Sequence, residues 1–321
     1  MYKPRILQNI LCSDANILIS LGLGVALLHI LVNGQYGFHR DELLSVDNAR
    51  HLAWGYVVYP PVTPFLGRAE LELFGPSLRA FRLFAALSQG LVMVLTGLAA
   101  RELGGRRQAQ LVAALAVAIG GHSMFSGSFM SYTSFDYLWW TLVAYCVIRL
   151  LKSENPRWWL AIGAAIGIGM LTKYTMGAQA LGVAGGVLLT PARRYLRSPW
   201  LWCGAAAALL MVLPNLVWQV QHNFVSLEFL KSIHARDIRQ GSTDYFLLNQ
   251  FWKCTNPVTV PLWCAGLWYL VAEPHGKRFR LLGWMYFIPM LALLIARGRD
   301  YYLAGSYPML LAQEPSGESC G

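Results

Sequence analysis

The sequence predicts an all-α fold, a polytopic membrane helix bundle, and three observations predict it. Hydrophobic residues make up 56% of the 321-residue chain and charged residues 13%, against about 45–50% and about 25% in soluble domains. Apolar runs recur along nearly the whole chain at close to the roughly 17–25 residues that a bilayer requires. The charges fall in short clusters between those runs.

Taken in order, the runs place membrane helices near 16–33, 78–100, 109–125, 134–151, 158–172, 174–190, 200–218, 257–273 and 281–296. A tenth begins at Tyr307 and turns polar at Gln313, giving about nine to ten spans. No small-residue cleavage site follows the first run, which is long enough to stay as an anchor. With the N-terminus cytoplasmic, the short loops of that side hold 14 cations, from Lys3 and Arg5 to Arg280, against four acids. The other side holds 12 cations against ten acids, leaving out Glu314 and Glu318 of the tail. This asymmetry predicts a cytoplasmic N-terminus.

Two long loops, near 34–77 and 219–256, then face outward, and polar chemistry belongs there, where water or protein can satisfy it. The Gly- and Ala-rich stretch 163–186 spaces Gly163 from Gly167 and Gly182 from Gly186 by four residues, which predicts close helix packing in lipid. His29, on the first run, reads as a packed interface residue. The formal charge of +10 is dispersed, so no continuous basic face is predicted for nucleic acid. The six cysteines form no CxxC pair and read mostly as small core residues.

The first long loop opens Gly37-Phe38-His39-Arg40-Asp41-Glu42 and continues through Ser45, Asp47, Asn48, Arg50 and His51. Interleaved with Leu43, Leu44, Val46 and Leu52, these residues make an amphipathic helix at the membrane surface. Asp41 and Glu42 leave the membrane directly after the first span. A carboxylate desolvated there acquires a raised pKa and suits general-base chemistry. Adjacent Pro60 and Pro61 stiffen the loop downstream. The loop 221–255 carries His222, Glu228, His234, Asp237 and Asp244 without metal-ligand spacing, and reads as an acceptor-side lid.

The run RDELLSVDNARHLAWGYVVYPPVTPFLGRAELELFG, followed by an arginine-bearing span and Arg101-Glu102-Leu103-Gly104-Gly105, resembles the start of the family 39 glycosyltransferases. That family is similar to protein O-mannosyltransferases and to the aminoarabinose transferase of the lipid A pathway, all of the GT-C membrane fold. Further matches are Phe135-Asp136, Leu171-Thr172-Lys173-Tyr174, Leu213-Pro214-Asn215, Tyr301-Tyr302-Leu303 and Tyr307-Pro308.

The resemblance implies a GT-C type transmembrane domain over 1–312 that moves a sugar, with inversion, from a polyprenyl-phosphate carrier to a glycan, lipid or protein acceptor. It implies a bacterial inner membrane location and an extracytoplasmic site. Asp41 matches the family's first-loop aspartate, the general base. Glu42 is its neighbour, set to orient Asp41 or to bind a divalent cation, the one cofactor the pattern leaves open. Asp136 matches an acidic residue at the outer end of the fourth span. A departing phosphate needs preplaced cations, for which Lys173, with few acids nearby, and the cluster of Arg299 with Tyr301 and Tyr302 are candidates, together with Arg50. Asp41, Asp136 and Lys173 are expected to line one outward cavity.

Relatives often carry Asp or Lys and a polar residue before the double proline, where this chain has Val58 and Tyr59. They usually continue well beyond this length, which points to a C-terminally shortened member whose tail, 313–321, is disordered. Two other readings stay open: a transporter or flippase, and a non-catalytic member that keeps the scaffold.

Overall fold

Apolar runs without strand alternation fold into helices throughout the computed structural model, which describes residues 13–313 and contains no strand among them. Lys3, Arg5, Cys12, and the tail from Glu314 to Gly321 with Cys320, lie outside the described residues. Gln313, where the polar tail was expected to begin, is buried.

The helices are α1 (Asp14–Val32), α2 (Arg40–Arg50), α3 (Val62–Phe74), α4 (Leu83–Glu102), α5 (Arg107–Ala118), α6 (Gly121–Ser128), α7 (Tyr132–Ser153), α8 (Trp158–Met170), α9 (Met176–Leu189), α10 (Pro199–Gln221), α11 (Val225–Arg239), α12 (Val260–Val271), α13 (Arg280–Ile295) and α14 (Tyr307–Leu311). Each expected run coincides with one helix except 109–125, which is two. There α5 and α6 meet at a 66° bend. The Gly121 N–H leaves the helix to donate to the Thr255 carbonyl at 3.0 Å.

By length and apolarity alone, Asp14–Val32, Ala80–Glu102, Pro199–Gln221 and His275–Ile295 are long enough to cross a bilayer, and α5 with α6 makes a fifth if the bent pair is one span. Helices α8 and α9 and the stretch Pro257–Val271 are apolar but shorter. The protein is an integral membrane protein built round α7, 15 of whose 22 residues are buried.

The glycines set the distances between helices. A side chain at Gly163 or at Gly204 would run into the facing backbone, so α8 and α10 touch there. Gly182 and Gly186 likewise admit Met285, Pro289 and Leu281 of α13 against α9. Without a hydrophobic drive between helices in lipid, such close backbone approach is what holds them together. At the short-loop end, Glu102 receives Arg149 and Lys152 at 3.4 and 3.1 Å, and Glu154 receives Arg194 and Arg278 at 3.1 and 3.4 Å.

Candidate functional site

The two long loops fold over one end of the bundle and enclose two adjoining cavities. The larger, about 660 Å³, is lined by Asp41, His122, Tyr132, Lys253, Arg299 and Asp300 among others. The second, about 410 Å³, holds Tyr59, Lys173, His234 and Tyr302. Tyr132, Asp237 and Arg299 line both.

Asp41 owes its place to the start of α2. His39 caps the helix: its Nδ1 accepts the Asp41 N–H at 3.2 Å, and Glu42 Oε2 accepts the His39 N–H at 2.8 Å. This reciprocal arrangement uses donors that a helix start leaves unpaired. The Asp41 carboxylate, expected to be desolvated, is instead half exposed, with Arg40 Nε at 3.2 Å.

Glu42 lines neither cavity. It is wholly buried and grips Arg82 through bonds of 2.7 and 2.5 Å, and its Oε1 also accepts the Met130 N–H at 3.0 Å. Arg82 in turn donates to the carbonyls of Asn33 and Gly37 and lies 4.4 Å from the Tyr36 ring centroid. One ion pair thus ties α1, α2, α4 and the approach to α7 together. Glu42 fastens the helix that carries Asp41 without touching Asp41's side chain, and its oxygens are taken by Arg82, His39 and Met130 rather than free for a metal cation.

Lys173, expected to have few acids nearby, is paired with Asp136 at 3.5 Å, and both are buried. Asp136 also accepts from Trp140 Nε1 at 3.1 Å and Thr175 Oγ1 at 3.0 Å. The Lys173 ammonium lies 5.5, 4.8 and 4.6 Å from the ring centroids of Tyr132, Tyr301 and Tyr302, a cage of negative ring faces that suits a cation. Asp136 stands behind the lysine and lines neither cavity. The one cavity expected for Asp41, Asp136 and Lys173 is therefore two, divided by Tyr132 and the Asp237–Arg299 pair.

Arg299 donates from Nε and Nη2 to Asp237 at 2.5 and 2.8 Å, and from Nη1 to Tyr301 OH at 3.3 Å. Arg236 adds a bond to Asp237 at 3.2 Å. Burial raises the Asp237 carboxyl, but the bonds and charges of Arg299 and Arg236 outweigh it and hold the group below the usual carboxylate range. Burial pushes the Tyr302 hydroxyl well up, so it stays a donor. Arg50 reaches neither cavity; it lies on a separate hollow of about 340 Å³ with Phe38 and Phe81.

Tyr59, directly before the double proline, is buried. Its hydroxyl accepts from Asn48 Nδ2 at 2.8 Å, and its ring meets Tyr132 at 5.3 Å. Asn215 fastens the first loop by donating to the Trp54 carbonyl at 2.8 Å and accepting from Tyr174 OH at 3.2 Å.

Several residues of the site carried no expectation. Lys253 pairs with Asp300 at 3.2 Å on the larger cavity, and nothing in their local sequence marks them. His122, stacked 6.0 Å from Tyr301, sits in what read as an apolar span, where an ionisable residue is itself a signal. Among the described residues no three His, Cys, Asp or Glu side chains come together to hold a metal ion.

Comparison with known proteins identifies the fold and the family. The ArnT of Cupriavidus metallidurans bound to undecaprenyl phosphate superposes with a TM-score of 0.64 at 19% identity, covering 92% of this chain and 59% of that one. The apo form gives 0.66 at 19% identity, covering 94% and 59%. The fold is therefore the GT-C membrane fold of ArnT, and the chain spans about 59% of the length of these structures. No curated protein matches. The pattern of one protein family runs from the residue before Tyr59, through the Pro-Pro turn, Asp136, Lys173 and Asn215, to Trp218, half of the chain. On that match over residues 58–218, the protein belongs to the dolichyl-phosphate-mannose-protein mannosyltransferase family.

Proposed function

We propose that the protein is a membrane glycosyltransferase that moves a sugar from a polyprenyl-phosphate carrier to a glycan, lipid or protein acceptor, with Asp41 as general base. The observation that carries this reading is the pair of adjoining cavities, with Asp41 in one, Lys173 and Tyr302 in the other, and Arg299 on the wall between. The family, and the undecaprenyl phosphate held by the structurally similar ArnT, support a lipid-phosphate donor.

In the reaction, an acceptor hydroxyl or amine gives its proton to Asp41 while its oxygen or nitrogen bonds the anomeric carbon. The bond from that carbon to the carrier phosphate breaks, and its electron pair leaves on the polyprenyl phosphate. Attack opposite the departing phosphate inverts the anomeric carbon. Phosphate is a good leaving group, so one carboxylate suffices, whereas breaking a glycosidic bond ordinarily uses two. Lys173, Arg299 and Tyr302 meet the phosphate charge from fixed positions, where preorganised donors are worth most. Asp136 holds Lys173, and Glu42 holds the helix of Asp41. The charge balance of the loops supports an extracytoplasmic site, and the family resemblance supports a bacterial plasma membrane, with residues 1–312 as one domain.

The test uses the purified protein with undecaprenyl-phosphate-linked aminoarabinose and, separately, polyprenyl-phosphate-linked mannose. Release of lipid phosphate is expected from one of them in the presence of acceptor, and Asp41→Asn should slow it by about 10²–10⁴-fold without altering expression. Unchanged release by that variant removes Asp41 from the mechanism. Passage of intact donor across vesicles with no release makes the protein a transporter.

A further inference from the structure

Away from both cavities, toward the end where the short loops gather, α8, α9 and α10 enclose a groove of about 400 Å³. All 15 residues lining it are apolar, Ile162, Ile166, Val183, Val187, Leu196 and Ala205 among them. From Trp159 to Ile166 it follows α8 over eight residues, a rise of about 10 Å at 1.5 Å per step. It shares no lining residue with either cavity.

What sets the groove apart from an ordinary lipid-facing surface is the charge at one end. Leu196 sits on the 3₁₀ helix Pro191–Arg197. At three residues per turn, Arg193 lies on the same face as Leu196, and Arg197 follows directly. Arg157 stands two residues before Trp159, its guanidinium 5.7 Å from the Trp200 ring centroid. Among the described residues none of these three arginines has a carboxylate within 4.0 Å, whereas Arg194 beside them is taken by Glu154 at 3.1 Å. Arginines without carboxylate partners, on the segments that border one end of an apolar slot between membrane helices, complement a phosphate carried on an acyl chain.

We infer that this groove binds an anionic phospholipid, with an acyl chain in the slot and the phosphate on Arg157, Arg193 and Arg197. The site is separate from the proposed transfer reaction and stands or falls independently of it.

The intact protein, purified in neutral detergent, is exchanged against dioleoyl phosphatidylglycerol or dioleoyl phosphatidylcholine, and retained lipid is counted by native mass spectrometry. The wild type should hold phosphatidylglycerol over phosphatidylcholine by about tenfold. Arg193→Gln with Arg197→Gln should bring the ratio close to one, while Arg106→Gln, on another short loop, should leave it unchanged. Ala205→Phe and, independently, Ala184→Phe put a ring into the slot at exposed positions and should each lower retention of phosphatidylglycerol. Equal retention of the two lipids by the wild type overturns the inference. So does a preference that survives loss of both arginines, or one unaffected by either ring.

Discussion

Asp237 and Arg299, 62 residues apart in the chain, meet through bonds of 2.5 and 2.8 Å on the wall that two cavities share. The grip joins α11, from the second long loop, to the segment that carries Tyr301 and Tyr302. Because Asp237 is held below the usual carboxylate range, its contribution to stability is present above the unfolded value of about 3.9 and is lost as pH falls through the lower folded value. The expected outcome is that Asp237→Asn lowers the melting temperature at pH 7, and that the gap to wild type closes only in strong acid. Melting curves from about pH 1.5 to pH 8 check this; a gap of constant size down to the acid end is the contrary result.

Glu42 and Arg82 form a fully buried pair, and removing one partner of such a pair leaves the other charged and unmet, at a cost of about 3–5 kcal/mol. Glu42→Gln and Arg82→Met should each destabilise by that order, and the double variant by less than the sum of the two. Unfolding in detergent measures it. Since the pair also fastens α2, Glu42→Gln should reduce lipid-phosphate release even though Glu42 touches no substrate.

Glu70, buried on α3, accepts the Phe84 N–H at 2.6 Å through one oxygen, while the other has no hydrogen-bond partner among the described residues. Burial, with the charge of Glu42 in support, pushes its carboxyl up to about 9. The folded protein therefore keeps a proton that the unfolded chain releases above about 4.3, and stability falls as pH rises between those values. Glu70→Gln mimics the protonated acid and removes this loss. Its melting temperature should rise relative to wild type from pH 5 to pH 9; a parallel pair of curves would mean that Glu70 is ionised in the fold.

Lys173 sits in its cage with Asp136 behind it. Loss of a preorganised charge at a developing anion costs about 10²–10³-fold in rate, so Lys173→Met should slow lipid-phosphate release by that order. Lys173→Arg should not restore it, because rings at 4.6–5.5 Å leave no room for a planar fork. Rates measured at saturating donor separate this from weakened binding.

The membrane helices were readable because each depends on a contiguous apolar run, and Gly163 and Gly182 announced close packing by spacing alone; α3 and α11, within the two long loops, carried no such run and were not foreseen. The bend after Ala118 was not readable: apolarity continues through it, and what stops the helix is a hydrogen bond to Thr255, 134 positions further on. The same limit applies to the site. Asp41, Glu42, Asp136, Lys173 and Arg299 stood out as ionisable residues beside membrane runs, whereas the partners that decide the roles of Glu42 and Arg299, namely Arg82 at the head of the second span and Asp237 on the second long loop, are 40 and 62 positions away. Charge near the membrane is local information; which opposite charge it meets is a property of the packed chain.

Gly121 occupies the inside of that bend, where an added methyl would press on the carbonyls of Trp252 and Lys253. Lys253 and Asp300 form part of the larger cavity's lining. Gly121 lines that cavity too, so a change as small as Gly121→Ala would reshape the chamber both directly and through the main chain of Trp252 and Lys253. Tuning of which acceptors are accommodated is thus available to this scaffold at a helix bend that is at once hinge and lining.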